Sequence, residues 1–142
     1  MTSHWSAPYI GLPYRDHGRD AAGVDCWGLV VLVYREVLGI VLPGYDEGYA
    51  TTEERRQIGA LIDGHRQAWP WTRQASPAAL DVALFRVGAT VSHVGIAVAP
   101  GRMLHIASDR DRARIEDWRS GQWAPRLVGF YRHAEAGSKG DQ

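Results

Sequence analysis

Cys26 is the only cysteine among the 142 residues, and it stands between Asp25 and a long apolar run, Trp27-Gly28-Leu29-Val30-Val31-Leu32-Val33. An Asp ahead of such a run predicts a helix N-cap, because its carboxylate can accept from an N–H of the first turn. Cys26 then sits in that turn, where amides without a helical partner and the positive end of the dipole favour a thiolate. A thiolate attacks a carbonyl carbon at neutral pH; a thiol hardly does. The same cysteine could also serve as a small buried hydrophobe.

A cysteine nucleophile needs a base, and the chain has six histidines. His4 and His133 lie near the termini and read as surface residues. His65 follows a predicted helix end, where a cation complements the dipole. His17 lies in the loop before Cys26 and could reach it. His93 stands apart because it belongs to an alternating segment, Ser92-His93-Val94-Gly95-Ile96-Ala97-Val98. Alternation puts His93, Gly95 and Ala97 on one strand face and Val94, Ile96 and Val98 on the other. The branched face predicts packing. The small neighbours of His93 predict room for a helix end or a substrate chain.

His105, in Met103-Leu104-His105-Ile106-Ala107, could orient His93 by accepting from its ring N–H. In a plain antiparallel hairpin the two share a face only if the loop is odd in length or a bulge shifts the register. Cys26, His93 and His105 could instead supply three zinc ligands. No Cys-x-x-Cys or His-x-x-x-His spacing accompanies them, and no fourth ligand stands out, so neither a metal nor another cofactor is expected.

The elements that must position these residues follow from the pattern. Residues 26–38 predict a buried helix, apolar on almost every face and ended by Gly39. Residues 39–50 read as loop. Thr51 or Thr52 caps a second predicted helix that ends near Gly64. Trp69-Pro70-Trp71 reads as a loop whose aromatics pack on the core or wall a cleft. Strands are predicted at Val82–Phe85, Ser92–Val98, Met103–Ala107, Arg114–Glu116 and Arg126–Arg132. Helices first and antiparallel strands second make the class α+β. One domain over 1–134 and a disordered polar tail over 135–142 are expected.

Composition excludes several functions. Apolar residues make up 45% and the formal net charge is zero, so bulk charge gives no hold on nucleic acid. No apolar run reaches the roughly 18 residues of a membrane span. A lone cysteine cannot form an internal disulfide. The start, Met-Thr-Ser-His-Trp-Ser, has neither a charged nor an apolar signal region, so synthesis in the cytoplasm without a signal peptide is expected.

Taken in order, Val24-Asp25-Cys26-Trp27-Gly28-Leu29-Val30, Asp81-Val82-Ala83-Leu84-Phe85, Ser92-His93-Val94-Gly95-Ile96-Ala97-Val98 and Leu104-His105-Ile106-Ala107 resemble the NlpC/P60 cysteine peptidases. The resemblance runs over about residues 9–131. It implies a papain-like α+β core and hydrolysis of a stem-peptide amide in cell-wall peptidoglycan, typically between D-γ-glutamate and meso-diaminopimelate. It makes Cys26 the nucleophile, His93 the base and His105 the third polar residue. Tyr14 matches a tyrosine that lines the site, and Asp25 and Ser92 match supporting positions. Two departures stand out. The usual Gly before Asp81 is replaced by Ala79-Leu80, and Trp27 stands where most cell-wall members have Ser. The Asp25–Val30 form, with Tyr34-Arg35-Glu36 and Gly39-Ile40-x-Leu42-Pro43 behind it, is more similar to members encoded with phage tails and gene transfer agents. That likeness implies tail proteins as partners and action in the periplasm or at the wall. Rival readings are another amide such as muramyl–alanine, acyl transfer to lipid, and a non-catalytic tail-tip component.

Overall fold

A computed structural model describes residues 4–16, 18–42, 71–88, 90–107 and 111–139. The second predicted helix, Trp69, Pro70, His17 and His65 lie outside the described residues.

The first element that matters is a small hairpin, β1 (Arg19–Asp20) and β2 (Gly23–Val24), which leads straight into helix α1 (Cys26–Val33). Asp25 caps α1: its backbone is extended and its carboxylate accepts from Gly28 N at 2.7 Å. All eight residues of α1 are buried, as expected of a helix apolar on every side. The helix continues as a π turn, Tyr34–Leu38, and stops at Gly39 with φ 68°. A left-handed residue at that place favours glycine.

Gly28 has a separate role. A Cβ there would lie 1.8 Å from the carbonyl oxygen of Gly18. Its bare backbone lets the loop before β1 lie against the first turn of α1. We expect Gly28→Ala to cost about 1–3 kcal/mol, read as a lower denaturation midpoint, because backbone rather than a flexible side chain must give way.

The remaining strands are β3 (Trp71–Gln74), β4 (Val82–Val87), β5 (Thr90–Ala99), β6 (Arg102–His105), β7 (Arg114–Asp117) and β8 (Leu127–His133). Among the described residues they form one antiparallel sheet in the order β3-β8-β4-β5-β6-β7. One face carries Val82, Leu84, Val94, Ile96 and Leu104, which join α1 in the main core. The other face carries Ala83, Phe85, Ala97 and Met103, covered by Trp118, Trp123 and Phe130. The class is therefore α+β, with a helix packed on an antiparallel sheet.

The hairpin between β5 and β6 turns at Pro100-Gly101, an even loop. Its register shifts between Ala97 and Ala99, after which Ala97 pairs with Met103 and Ile96 with Leu104. That bulge is what brings His93 and His105 to the same face. Without it the two-residue loop would leave them on opposite sides.

Two expectations change. Trp71 is not in a loop; it opens β3 and is buried beside Trp27, Tyr34 and His133. His133 is not a surface residue: its ring stands edge-on to Trp71 at 5.1 Å and to Tyr34 at 6.4 Å. Residues Ala134–Lys139 form helix α2, whose Ala136 is buried against the core.

Candidate active site

Cys26 opens α1 and is 3% exposed. Two devices hold that helix start. Asp25, itself buried, takes the Gly28 amide and also accepts from Arg19 Nη1 at 2.8 Å. Arg19 Nη1 donates in addition to the Gly18 carbonyl at 2.9 Å. Tyr14 is placed beside this end by a parallel bridge to Val24, and its hydroxyl donates to Asp16 Oδ1 at 2.8 Å. Asp25 is thus a cap and an ion-pair partner.

α1 packs on β5, the strand that carries Ser92 and His93. His93 is 2% exposed, and its Nε2 lies 2.9 Å from His105 Nδ1. The space beside His93 is not open, as the small residues suggested. Phe85 lies at 5.9 Å between ring centroids, and Trp123 stacks on the imidazole at 4.7 Å and 24°. Trp123 is also edge-on to His105 at 5.0 Å. Gly95 and Ala97 are small for another reason. A Cβ on Gly95 would meet Met103 Sδ at 2.9 Å and His105 Cβ at 3.4 Å, so the glycine admits the side chains of the neighbouring strand.

His105 Nε2 lies 2.7 Å from Glu116 Oε1 on β7. Burial pushes His105 below the ordinary histidine range and outweighs the pull of Glu116 the other way. The contact is therefore a neutral imidazole N–H on a carboxylate. Burial pushes the Glu116 carboxyl up, but hydrogen bonds from His105 and Arg114, with the Arg114 charge, outweigh it and hold it below the usual carboxylate range. Both nitrogens of His105 are engaged, one with His93 and one with Glu116.

The structure thus joins His93 to His105 and sets Cys26, Asp25 and Tyr14 around one helix start. The Trp27 ring is buried and edge-on to Trp71 at 6.5 Å. Two neighbours of the histidines escape a reading of the sequence. Glu116 stands opposite Met103, diagonal to His105, in a register that only the folded sheet supplies. Trp123 precedes a single turn of 3-10 helix, Ala124–Arg126, and no periodicity marks it. Its Nε1 is buried without a hydrogen-bond partner among the described residues, at a cost of about 1–3 kcal/mol. The position that incurs this cost is the one that shields the imidazole pair.

A model of the NlpC/P60 family matches residues 11–132. The chain belongs to the NlpC/P60 family. The murein DD-endopeptidase MepS/murein LD-carboxypeptidase of Escherichia coli K12 is 28% identical over 102 residues, which are 72% of this chain and 46% of that protein. The chain therefore spans about half the length of the curated relatives it matches. The NlpC/p60 domain of the peptidoglycan hydrolase SagA superposes with a TM-score of 0.59 at 23% identity, over 89% of this chain and 91% of that domain. A lipoprotein-like NLP/P60 protein of Staphylococcus aureus gives 0.62 at 25% identity, over 91% of this chain and 39% of that one.

One departure from the NlpC/P60 pattern registers in the backbone. Leu80 stands before Asp81, where the family resemblance calls for Gly, and it adopts φ 75°, alone among the described non-glycine residues. A left-handed leucine costs about 1–2 kcal/mol. Its N–H donates to Ala97 O at 2.8 Å, and its carbonyl accepts from the buried Tyr34 hydroxyl. Asp81 beside it takes a two-pronged grip from Arg132 at 2.8 and 2.9 Å. The start of β4 is pinned from both sides, so the strain is tolerated.

His133, like His105, is pushed below the ordinary range by burial, which outweighs Glu135. Both rings are neutral in the fold and protonate readily once exposed. Stability is therefore full above about pH 6.5, the free histidine value. It falls as the pH drops from there towards the lower folded values, because the unfolded chain binds protons that the fold refuses. We expect the melting temperature to decline from about pH 7 to about pH 5. His133→Gln should flatten that slope, since it keeps an acceptor for the Glu135 amide but does not titrate.

Proposed function

We propose that this chain is a cysteine peptidase of the cell wall that hydrolyses a stem-peptide amide of peptidoglycan. The observation that carries the reading is the buried, hydrogen-bonded His93–His105 pair on the sheet against which the Cys26 helix packs. Membership of the NlpC/P60 family supports the class of bond, as do similar proteins named as murein and peptidoglycan hydrolases.

In this reading the Cys26 thiolate attacks the scissile carbonyl carbon, with His93 as the imidazolium partner. Backbone N–H groups at the helix start stabilise the oxyanion. The C–N bond breaks as His93 gives its proton to the leaving amine. Water, deprotonated by His93, then releases the acyl group and restores the thiol. His105 orients His93; Tyr14, Asp25 and Ser92 support the site.

The bond we assign is D-γ-glutamyl–diaminopimelate, and the setting is a phage tail or gene-transfer-agent particle that delivers the enzyme to the wall. The Asp25-Cys26-Trp27-Gly28-Leu29-Val30 form supports the second part. Mass spectrometry of purified muropeptides after digestion tests the first. Products split at that bond are expected, whereas products split at muramyl–alanine would overturn the assignment. Detection of the chain in purified particles tests the delivery.

A further inference from the structure

We propose that Glu116 is a positioning residue of the same site. It anchors the His93–His105 pair and dictates which nitrogen of His93 does the chemistry. This inference rests on the reading of His93 as the base.

The argument is one of donors and acceptors. A neutral imidazole has one nitrogen that donates and one that accepts. An ionised carboxylate only accepts, so at 2.7 Å from Glu116 the His105 Nε2 must carry the hydrogen. His105 Nδ1 is then the acceptor. Across the 2.9 Å gap, His93 Nε2 must donate to it. That leaves Nδ1 of His93 as the nitrogen that can take or give a proton. Without Glu116, the reverse arrangement becomes available: His105 Nδ1–H donates to His93 Nε2, and neutral His93 carries its hydrogen on Nδ1, where it cannot act as base. The two arrangements share one hydrogen bond and differ in what lies beyond it.

The surroundings keep Glu116 able to play this part. Arg114 meets the same Oε1 through Nε at 3.0 Å and Nη2 at 2.9 Å. Asp111 holds Arg114 in turn at 3.3 Å. Arg102 and Asp117 line the recess on the outer side of Glu116. The Glu116 side chain is 28% exposed while that of His105 is 0% exposed. The carboxylate stays at the wet end, and the two imidazole rings lie at the dry end, shielded by Trp123.

The test uses the full chain, a γ-D-glutamyl–diaminopimelate peptide and two variants, Glu116→Gln and Glu116→Ala. Turnover is expected to fall about 10- to 100-fold with KM unchanged, because Glu116 acts through His105. Removing the anion makes the imidazolium less favourable, so the basic limb of the pH–rate profile should move to lower pH. Nitrogen-15 NMR of the unmodified chain should show both rings protonated at Nε2, and Glu116→Ala should show a mixture. Unchanged kcat and limbs in both variants, with the same ring protonation, would overturn the proposal. A fall in melting temperature with normal kinetics would also overturn it, in favour of a purely structural Glu116. If the unmodified chain cleaves no peptide, the peptidase reading fails, and the NMR comparison alone decides the proposal.

Discussion

Replacing Cys26 with Ala is expected to lower stem-peptide cleavage by at least about 10⁴-fold while the protein stays folded. The size follows from the chemistry. With no sulfur there is no acyl-enzyme, and what remains is binding and the backbone amides at the helix start. The fold should tolerate the change. Cys26 is a small buried residue, and the cap that holds the helix, Asp25 to Gly28, lies in groups the substitution leaves alone. The loss of stability should be about 1 kcal/mol. Circular dichroism and a melting curve would establish the folded state, and muropeptide digestion the activity. Cleavage at the unmodified rate would rule out Cys26 as nucleophile.

The second large effect is expected at His93. General acid–base groups contribute about 10²- to 10⁴-fold, and loss of this one should fall near the middle of that range. The choice of variant matters. Trp123 and Phe85 lie against the His93 ring, so Ala would leave a void in a packed cluster and mix instability with lost chemistry. His93→Gln keeps most of the volume and cannot accept and hold a proton. Its turnover should fall about 10³-fold. A second readout isolates the pairing with the cysteine. If His93 supports a thiolate, Cys26 of the unmodified chain should alkylate at pH 6 well above the rate of a free thiol, and His93→Gln should remove that advantage. Equal alkylation rates in the two proteins would separate His93 from Cys26 and end the dyad reading.

Part of the site was legible because local rules decide it. An Asp before an apolar run is a cap in almost any context, since the unpaired amides of a first turn need an acceptor wherever the helix sits. Asp25 and the start of α1 at Cys26 follow from that, and Gly39 follows from the left-handed exit of the helix. The alternation around His93 likewise requires only the pleat of one strand. Its meaning was less legible. Small residues beside His93 imply space but not what fills it, and the filling came from Met103 and His105 on the next strand and from Trp123 far along the chain. Where the Trp27 ring packs is no more legible in the sequence. A tryptophan next to Cys26 in sequence points to a different side of the helix, and here that side is the core next to Trp71.

The sequence by itself determined the α+β order, the capped helix with its cysteine, the strand that holds His93 and the family likeness, because each depends on residues within a few positions of one another or on motifs in a fixed order. The tertiary structure decided the rest. A bulge in β5 put His93 and His105 on one face, and the register of β7 set Glu116 against His105. It also made Trp71 part of a strand rather than a loop and buried His133 rather than leaving it at the surface. These outcomes hang on strand register and on which side chains close over a sheet face. Both are settled by packing among distant segments, where a shift of one residue exchanges the faces and no local pattern records it.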